Sequence, residues 1–272
     1  METSNLTPVI GTEVRGVDLS QLDDIKAGWL KKLLLERQVV VLRDQKLDRD
    51  QHKAIARRFG TGVLHRHALA GGLGDDEIAP IRTNPDSKFA IGEGWHTDVT
   101  CDPAPIAVSA LYMKELPEGG GGDTMFASMT ECYARLSDPI KQLAHGLSAL
   151  HDGALPWRDG YGIEPPEGHQ YNRTVHPLVI AHPETGAPVL WINRAFVSRI
   201  KGVTPLEGRH LMEMFFNHIE TCLAAQCRVR WEPDTLVLWD NVATQHHAVW
   251  DYYPNVRYAE RVSVVGAELA AA

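Results

Sequence analysis

The chain lacks the features that mark membrane-spanning, secreted or nucleic-acid-binding proteins. Its 272 residues carry a formal net charge of -8, so a surface for polyanions is not indicated. No apolar run approaches the roughly 18 residues of a membrane span. The polar start, residues 1–5, lacks the charged-then-apolar order of a signal peptide. We therefore expect a cytoplasmic protein.

Cysteine is scarce as well. Cys101, Cys132, Cys222 and Cys227 form no Cys-x-x-Cys pair, and four thiols in a chain of this length do not make a disulfide framework. We expect reduced thiols that are mostly packed in the core. The glycine run 119–122 is followed by no Gly-Lys-Ser/Thr, so it predicts a turn between strands and not a phosphate-binding loop.

Helix starts are marked at three places. Asp48 with Gln51, and Thr204 with Glu207, form capping-box patterns. Ser20 is a third candidate N-cap. Helical spacing predicts two buried stripes, one made of Leu22, Ile25, Trp29, Leu30 and Leu33, and the other of Met212, Phe215, Phe216, Ile219 and Leu223.

Runs rich in β-branched and aromatic residues predict strands at 38–43, 227–231, 235–240 and 258–266. No internal repeat or domain linker interrupts the sequence. We expect one domain over residues 1–272, mainly β with flanking helices, arranged as a double-stranded β-helix, or jelly roll. The segments 66–94 and 152–175 contain many glycines and prolines and predict lids.

Two distant clusters supply two imidazoles and a carboxylate. His96 and Asp98 are two residues apart, so on extended backbone they point to the same side. A third ligand can come from the cluster around residues 240–246, where His246 and His247 point to opposite faces of a strand and only one can reach a metal. Two histidines and a carboxylate form the facial triad of non-haem iron(II) oxygenases. The structural alternative is a chance His-x-Asp pair of satisfied side chains.

Two arginines follow the second cluster. Arg257 and Arg261 are four apart on a predicted strand, so they share a face. Two guanidiniums directed into a barrel are costly to bury unpaired, and interior carboxylates are few. They predict one arginine bound to a co-substrate carboxylate and the other to an anionic group of the substrate. The alternative is two exposed arginines on an edge strand.

These motifs resemble the taurine dioxygenase family of iron(II)- and 2-oxoglutarate-dependent oxygenases, which includes aryloxyalkanoate dioxygenases and alkylsulfatases. The resemblance covers nearly the whole chain, in the segments 11–19, 95–100, 122–124, 191–200 and 239–261. It implies that His96, Asp98 and His246 are the iron ligands. It also implies that Thr124 and Arg257 bind the far carboxylate of 2-oxoglutarate.

The resemblance implies an oxidoreductase that uses Fe(II), 2-oxoglutarate and O2. Such an enzyme hydroxylates a small anionic organic substrate, a carboxylate, sulfonate or sulfate, and releases succinate and CO2. The product falls apart if oxygen enters beside sulfur, nitrogen or an ether oxygen. Related enzymes are commonly dimers or tetramers, so a homo-oligomer is expected by analogy.

Substrate choice is where the sequence departs from that family. Arg261 and His67 stand where taurine dioxygenase contacts the sulfonate, and Phe196 matches a pocket aromatic. Gly92, however, falls at an asparagine contact of that enzyme, and Ala70 falls at a tyrosine. Because discrimination of a compact polar molecule depends on paired polar contacts, we expect a larger and more apolar anion than taurine.

Two other functions use similar residues. A zinc hydrolase also binds metal with two histidines and a carboxylate, but the chain has no His-Glu-x-x-His pattern and the two arginines would have no role. A non-catalytic jelly-roll binding protein would be expected to have a broken triad, and here all three residues are present.

Overall fold

The computed structural model describes residues 2–67, 75–160, 162 and 170–272. In these residues the chain is mostly β-structure with some helices. The α-helices are α1 (Asp24–Arg37), α2 (Arg49–Ala56), α3 (Met129–Ala134), α4 (Asp138–His145) and α5 (Pro205–Thr221). None of the described helices is long and apolar enough to cross a membrane.

The strands follow one another along the whole of the described chain. They are β1 (Glu2–Asn5), β2 (Thr12–Arg15), β3 (Val39–Leu42), β4 (Ala79–Thr83), β5 (Ile106–Glu115), β6 (Thr124–Ser128), β7 (Ser148–Asp152), β8 (Arg173–Pro177), β9 (Val179–Ala181), β10 (Pro188–Leu190), β11 (Val197–Lys201), β12 (Gln226–Val229), β13 (Leu236–Asp240), β14 (Thr244–Ala248) and β15 (Arg257–Val265).

The largest sheet of the described chain runs in the order β1-β2-β3-β13-β5-β15-β4. Strands β2 and β3 are parallel, and the other neighbours are antiparallel. Strand β3 is buried at every position, because both faces of the sheet are covered. A strand that is buried on both sides reads as a continuous apolar run, which is why residues 38–43 were recognisable as a strand.

A smaller sheet, β12-β6-β14, packs against one face of the large sheet. The core between them contains Phe126 of β6, Trp239 of β13 and Leu111 of β5. Helices α1 and α2 pack on the opposite face, around Leu30 and Ile55. Strand β14 therefore lies at an edge of the smaller sheet with its inner face directed at the large one.

A third core holds the remaining helices. It joins α3 and α5 to the sheets β11-β7-β8 and β10-β9, with Trp191 buried at 2% exposure. These elements flank the smaller sheet and complete a β-rich molecule in which helices lie on the outside.

Most of the local predictions are confirmed. The capping boxes at Asp48 and Thr204 are both present and open α2 and α5. The glycine run 119–122 forms the turn between β5 and β6, with a positive φ at each of its four residues. The four cysteines are free, and three of them are buried.

Three predicted helix positions are wrong. The N-cap of α1 is Asp23 and not Ser20, since the Asp23 side chain accepts from the N–H of Lys26. Of the predicted stripe, Leu30 is buried and Leu22, Trp29 and Leu33 pack against the same core, whereas Ile25 is 85% exposed. Leu223 is 75% exposed, because α5 ends at Thr221 and the residues beyond it no longer follow helical spacing.

Candidate metal centre

His96 and His246 face each other across a short antiparallel bridge beside β14. The N–H of His96 donates to the carbonyl of His246 at 3.0 Å, and the N–H of His246 donates back at 2.8 Å. The bridge extends the edge of the small sheet with the segment that contains Asp98. The two predicted clusters are thereby brought together, although about 150 residues separate them in the sequence.

The three side chains form one compact donor set. Nε2 of His96 lies 3.7 Å from Oδ1 of Asp98, and Nε2 of His246 lies 4.0 Å from Oδ2. One ligand atom from each residue lies within 4.8 Å of the others. Two nitrogens and a carboxylate suit a first-row transition metal of the non-haem iron type, so the residues fit the metal that the sequence implies.

The protonation states also suit metal binding. Burial lowers the pKa of both His96 and His246. Burial alone would raise the pKa of Asp98, but the charge of Arg261, joined in acid by the charges of the protonated histidines, brings it below its usual range. At neutral pH the cluster therefore presents two neutral imidazoles and one carboxylate, which are the forms that ligate metals.

Asn241, just before β14, and Thr244, at its start, hold the segment that contains Asp98 by hydrogen bonds. The amide of Asn241 accepts from the N–H of Asp98 at 3.1 Å and donates to its carbonyl at 3.2 Å. The hydroxyl of Thr97 donates to the carbonyl of Thr244 at 2.8 Å. Together with the His96–His246 bridge, these contacts fix both halves of the cluster to the same strand.

A cavity of about 410 Å³ opens onto the cluster, and it is lined by all the predicted site residues: His67, His96, Asp98, Thr124, Phe196, His246, Arg257 and Arg261. Most of its remaining lining is apolar, including Ile91, Val99 and Leu111. Gly92 also borders it, and a Cβ placed there would lie 3.3 Å from Cε1 of His96. Ala70, the other predicted departure, lies outside the described residues.

Arg257 is a buried cation with no ion pair among the described residues. It is 5% exposed, and its Nε donates to the carbonyl of Gly122 at 3.0 Å. The guanidinium lies 5.6 Å from the ring centre of Trp231, and burial lowers its pKa. Nearby, the hydroxyl of Thr124 accepts from Nε1 of Trp231 at 3.1 Å, so its own proton can be donated to a ligand.

The contacts of Arg261 contradict the expectation that the interior offers too few carboxylates to pair with the two arginines. Its Nη1 donates to Oδ1 of Asp98 at 2.7 Å, so the carboxylate of the candidate metal cluster is itself the ion-pair partner. The Nε of Arg261 is buried and has no hydrogen-bond partner in the described chain. Arg261 therefore links the metal cluster to the cavity and retains a donor for a bound anion.

His67 lies on the same cavity in a neutral form. Burial and the nearby charge of Arg261 lower its pKa to about 3. Its Nε2 has no partner among the described residues, so a polar group remains available to a ligand. Phe196 adds an aromatic wall, 9% exposed.

Parts of both predicted lid segments border the cavity. His67 and Gly92 belong to segment 66–94, and Trp157 and Asn172 belong to segment 152–175. Residues 68–74, 161 and 163–169 of these segments lie outside the described chain.

Sequence reasoning missed two residues that support the cluster. The role of Asn241 depends on a long-range contact with Asp98 that no local pattern reveals, although it directly follows Asp240 in the second cluster. Gly94 acts through its backbone: its carbonyl accepts from Nδ1 of His96 at 2.9 Å. A positive φ of 98° explains why glycine occupies this position. The glycine itself is the one feature of the sequence that could have pointed to this role.

A sequence profile described as "Taurine catabolism dioxygenase TauD, TfdA family" matches residues 2–263. The chain is 31% identical to the alpha-ketoglutarate-dependent sulfate ester dioxygenase of Pseudomonas putida, over 94% of this chain and 87% of that protein. It is 33% identical to the (S)-phenoxypropionate/alpha-ketoglutarate-dioxygenase of Sphingobium herbicidovorans, over 90% of this chain and 88% of the other.

A solved structure is similar along the whole molecule. The crystal structure of a taurine dioxygenase from Burkholderia xenovorans superposes with a TM-score of 0.83 and is 32% identical, with 97% of this chain and 89% of that chain covered. The similarity therefore includes the arrangement of the strands that carry the cluster.

Proposed function

Because the chain belongs to the taurine catabolism dioxygenase TauD, TfdA family, we propose that it is an Fe(II)- and 2-oxoglutarate-dependent dioxygenase that hydroxylates a small anionic organic substrate. One observation carries the proposal: the two-histidine, one-carboxylate cluster and the unpaired buried cation of Arg257 share a single cavity. We also propose that the two packed sheets form the double-stranded β-helix of a single domain.

His96, Asp98 and His246 would hold the iron. When bound, the iron supplies the activation of O2 and the oxidative decarboxylation of 2-oxoglutarate to succinate and CO2. The protein contributes orientation and charge: the neutral imidazoles and the carboxylate face one point, while buried apolar walls such as Leu111 and Trp239 exclude water from the reacting groups.

Arg257 and Thr124 would bind the far carboxylate of 2-oxoglutarate. A buried guanidinium needs an anion, and its planar fork can hold both carboxylate oxygens. The bond from Nε to Gly122 fixes the direction of the fork. The hydroxyl proton of Thr124 would complete the contact.

Arg261, His67 and Phe196 would bind the substrate. The Nε of Arg261 and Nε2 of His67 are buried donors or acceptors without a partner in the described chain, which supports an anionic group at that position. Two relatives are named for sulfate esters and phenoxypropionate. Together with the apolar lining and the glycine at position 92, these names support an anion larger and more apolar than taurine.

The substrate class is tested with a panel of anions. Succinate release would be measured with taurine, a long-chain alkyl sulfate and a phenoxypropionate, each at a range of concentrations. We expect a higher kcat/KM for at least one of the two larger anions than for taurine. Equal or better turnover of taurine would refute this substrate assignment and leave the reaction class standing.

We further propose that segments 66–94 and 152–175 cover the bound substrate, and that the protein is a homo-oligomer, a dimer or tetramer. Hydrogen exchange of both segments with and without substrate tests the first proposal, since a cover should gain protection. Light scattering on the purified protein tests the second. Unchanged exchange, or a monomeric mass, would contradict the respective statement.

The first experiment is anaerobic reconstitution with Fe(II) and 2-oxoglutarate. We expect a weak visible charge-transfer band in the wild type, and its loss in Arg257→Ala, because the co-substrate carboxylate would lose its cation. Arg230→Ala, at an exposed arginine, is the matched control and should keep the band.

The same experiment distinguishes the proposed function from the two alternatives. No band in the wild type, tighter binding of zinc than of iron, and no succinate under air would favour a zinc hydrolase or a binding protein. A band that persists in Arg257→Ala would leave the metal site intact and refute the role of this arginine.

A further inference from the structure

His247 is the residue next to the predicted ligand His246, and it lies on the other face of β14. It is half-buried and does not line the cavity. We propose that His247 is a positioning residue, which orients the imidazole of the metal ligand His96 by holding the backbone of Gly94. The inference rests on the metal site of the proposed function and adds a residue that does not touch the metal.

The first contact joins His247 to Gly94. The backbone N–H of Gly94 donates to Nδ1 of His247 at 2.9 Å. Because Nδ1 accepts here, the neutral ring of His247 carries its proton on Nε2. The ring of Trp95 lies 5.7 Å away, centre to centre, and packs beside that of His247.

The second contact joins Gly94 to His96. Nδ1 of His96 donates to the carbonyl of Gly94 at 2.9 Å. This bond places the proton on Nδ1 and leaves the lone pair of Nε2 directed towards Asp98, 3.7 Å away. A hydrogen bond to the second ring nitrogen is the usual way in which a metal-binding histidine is fixed in tautomer and orientation.

The pairing around β14 explains why a side chain is needed. Backbone hydrogen bonds join β14 to the facing segment at two places. The N–H of Ala248 donates to the carbonyl of Gly92, and the N–H and carbonyl of His246 both bond to the backbone of His96. Three residues lie between Gly92 and His96, but only one lies between His246 and Ala248. The bulged segment therefore leaves the N–H of Gly94 without a backbone partner, and the side chain of His247 supplies one.

Packing does not hold Gly94 in place. The residue is exposed, and a Cβ built on it would meet nothing within 4 Å. Its left-handed backbone, with φ +98°, is maintained by the hydrogen bonds on either side. Removing the acceptor at position 247 should therefore release the Gly94 carbonyl and loosen the ring of His96.

The experiment compares two amides at position 247. In His247→Asn the side-chain oxygen stands at the δ position, where it can accept from Gly94 as Nδ1 does. In His247→Gln the oxygen is one carbon further out and cannot occupy that position. Binding of Co(II) and Mn(II) to the metal-free protein would be measured by calorimetry and, for Co(II), by its visible spectrum.

We expect His247→Gln to weaken metal binding about 10-fold, the usual cost of losing a support of a metal ligand, and His247→Asn to remain within about threefold of wild type. His210→Gln, at an exposed histidine on α5, is the control for loss of a histidine. Thermal melting of the metal-free variants checks that each is folded.

Three results would overturn the inference. Wild-type metal affinity in His247→Gln would show that the contact does not orient His96. Equal losses in the asparagine and glutamine variants would show that the acceptor at the δ position is not what matters. No metal binding by the wild type would remove the metal site itself, and with it the proposed function.

Discussion

Gly92 borders both the candidate metal cluster and the cavity beside it. A Cβ at this position would lie 3.3 Å from Cε1 and 3.8 Å from Nε2 of His96, and the backbone has a φ of +87°. Any side chain here would press against the metal-binding edge of the ring. The absence of a side chain thus leaves room beside the candidate metal ligand His96 that an asparagine would fill.

We predict that Gly92→Ala weakens Co(II) binding several-fold, because His96 must move by a few tenths of an ångström. Gly186→Ala is the matched control, since that glycine also has a positive φ, +70°, and its built Cβ meets nothing within 4 Å. Both variants should lose about 1–2 kcal/mol of unfolding free energy from the strained backbone. Equal metal affinities for the two variants would contradict the prediction.

At the level of single residues, the sequence pointed to candidate site residues more readily than to their contacts. His96, Asp98 and Arg257 could be singled out because few residue types bind metals or carboxylates. The pairing of Arg261 with Asp98 was not foreseen, since it depends on how β15 faces the segment after the His96 bridge. The same limit applies to Asn241, whose partner lies 143 positions away.

Helix α5 begins with a capping box that the sequence already displays. The hydroxyl of Thr204 accepts from the N–H of Glu207, and the Glu207 carboxylate accepts from the N–H of Thr204. Helix α4 offers a contrast, because its N-cap Ser137 makes no side-chain capping bond.

We predict that Thr204→Ala lowers the unfolding free energy by about 1 kcal/mol, the usual value of an N-cap bond. Ser137→Ala should change it by less than about 0.5 kcal/mol, since no capping bond is lost. Urea denaturation of both variants measures the difference. Equal losses of unfolding free energy in the two variants would mean that the capping bond of Thr204 adds nothing measurable to the stability of the helix.

Helix boundaries without a capping box were less predictable than those with one. The capping boxes act within four residues, so a local pattern contains all the information. The start of α1 was misplaced: Ser20 lies in a separate 3-10 turn, Leu19–Gln21, and Asp23 caps the helix. Leu223 was misplaced because the end of α5 has no sequence signal as strong as its start.

For the whole molecule, buried histidines set the response to acid. Burial lowers the pKa of His52 to about 4 and that of His151 to about 3. In the unfolded chain both imidazoles have a pKa of about 6.5 and become protonated below that pH. The folded state therefore binds fewer protons below that pH, and the stability present at neutral pH is lost as the pH falls from 6.5 towards the folded values.

We predict that the unfolding free energy falls by about 2 kcal/mol for each of these two histidines between pH 7.5 and pH 5. His52→Gln should remove one of the two contributions, so the difference between wild type and variant should change with pH. The exposed His210, substituted by glutamine, is the control. Parallel pH curves for wild type and His52→Gln, measured by urea denaturation, would refute the assignment.

The overall architecture was predictable only in outline. Apolar runs gave the β-rich character and several strands, but not the order in which they pair. Strand β13 lies between β3 and β5, a neighbourhood created by long-range packing around Trp239 and Phe126 and not by any turn. The position of the cavity follows from that order, so it could not be derived from local patterns.

The bridge between His96 and His246 has a consequence for the synthesis of the protein. During translation, a nascent chain that has emerged only as far as Asp98 possesses two of the three metal donors and no cavity. The third donor arrives about 150 residues later, together with the strand that closes the cluster. A partly made chain therefore cannot assemble the complete donor set before His246 is synthesised. Strand β15, which supplies Arg257 and Arg261 to the cavity wall, is made later still.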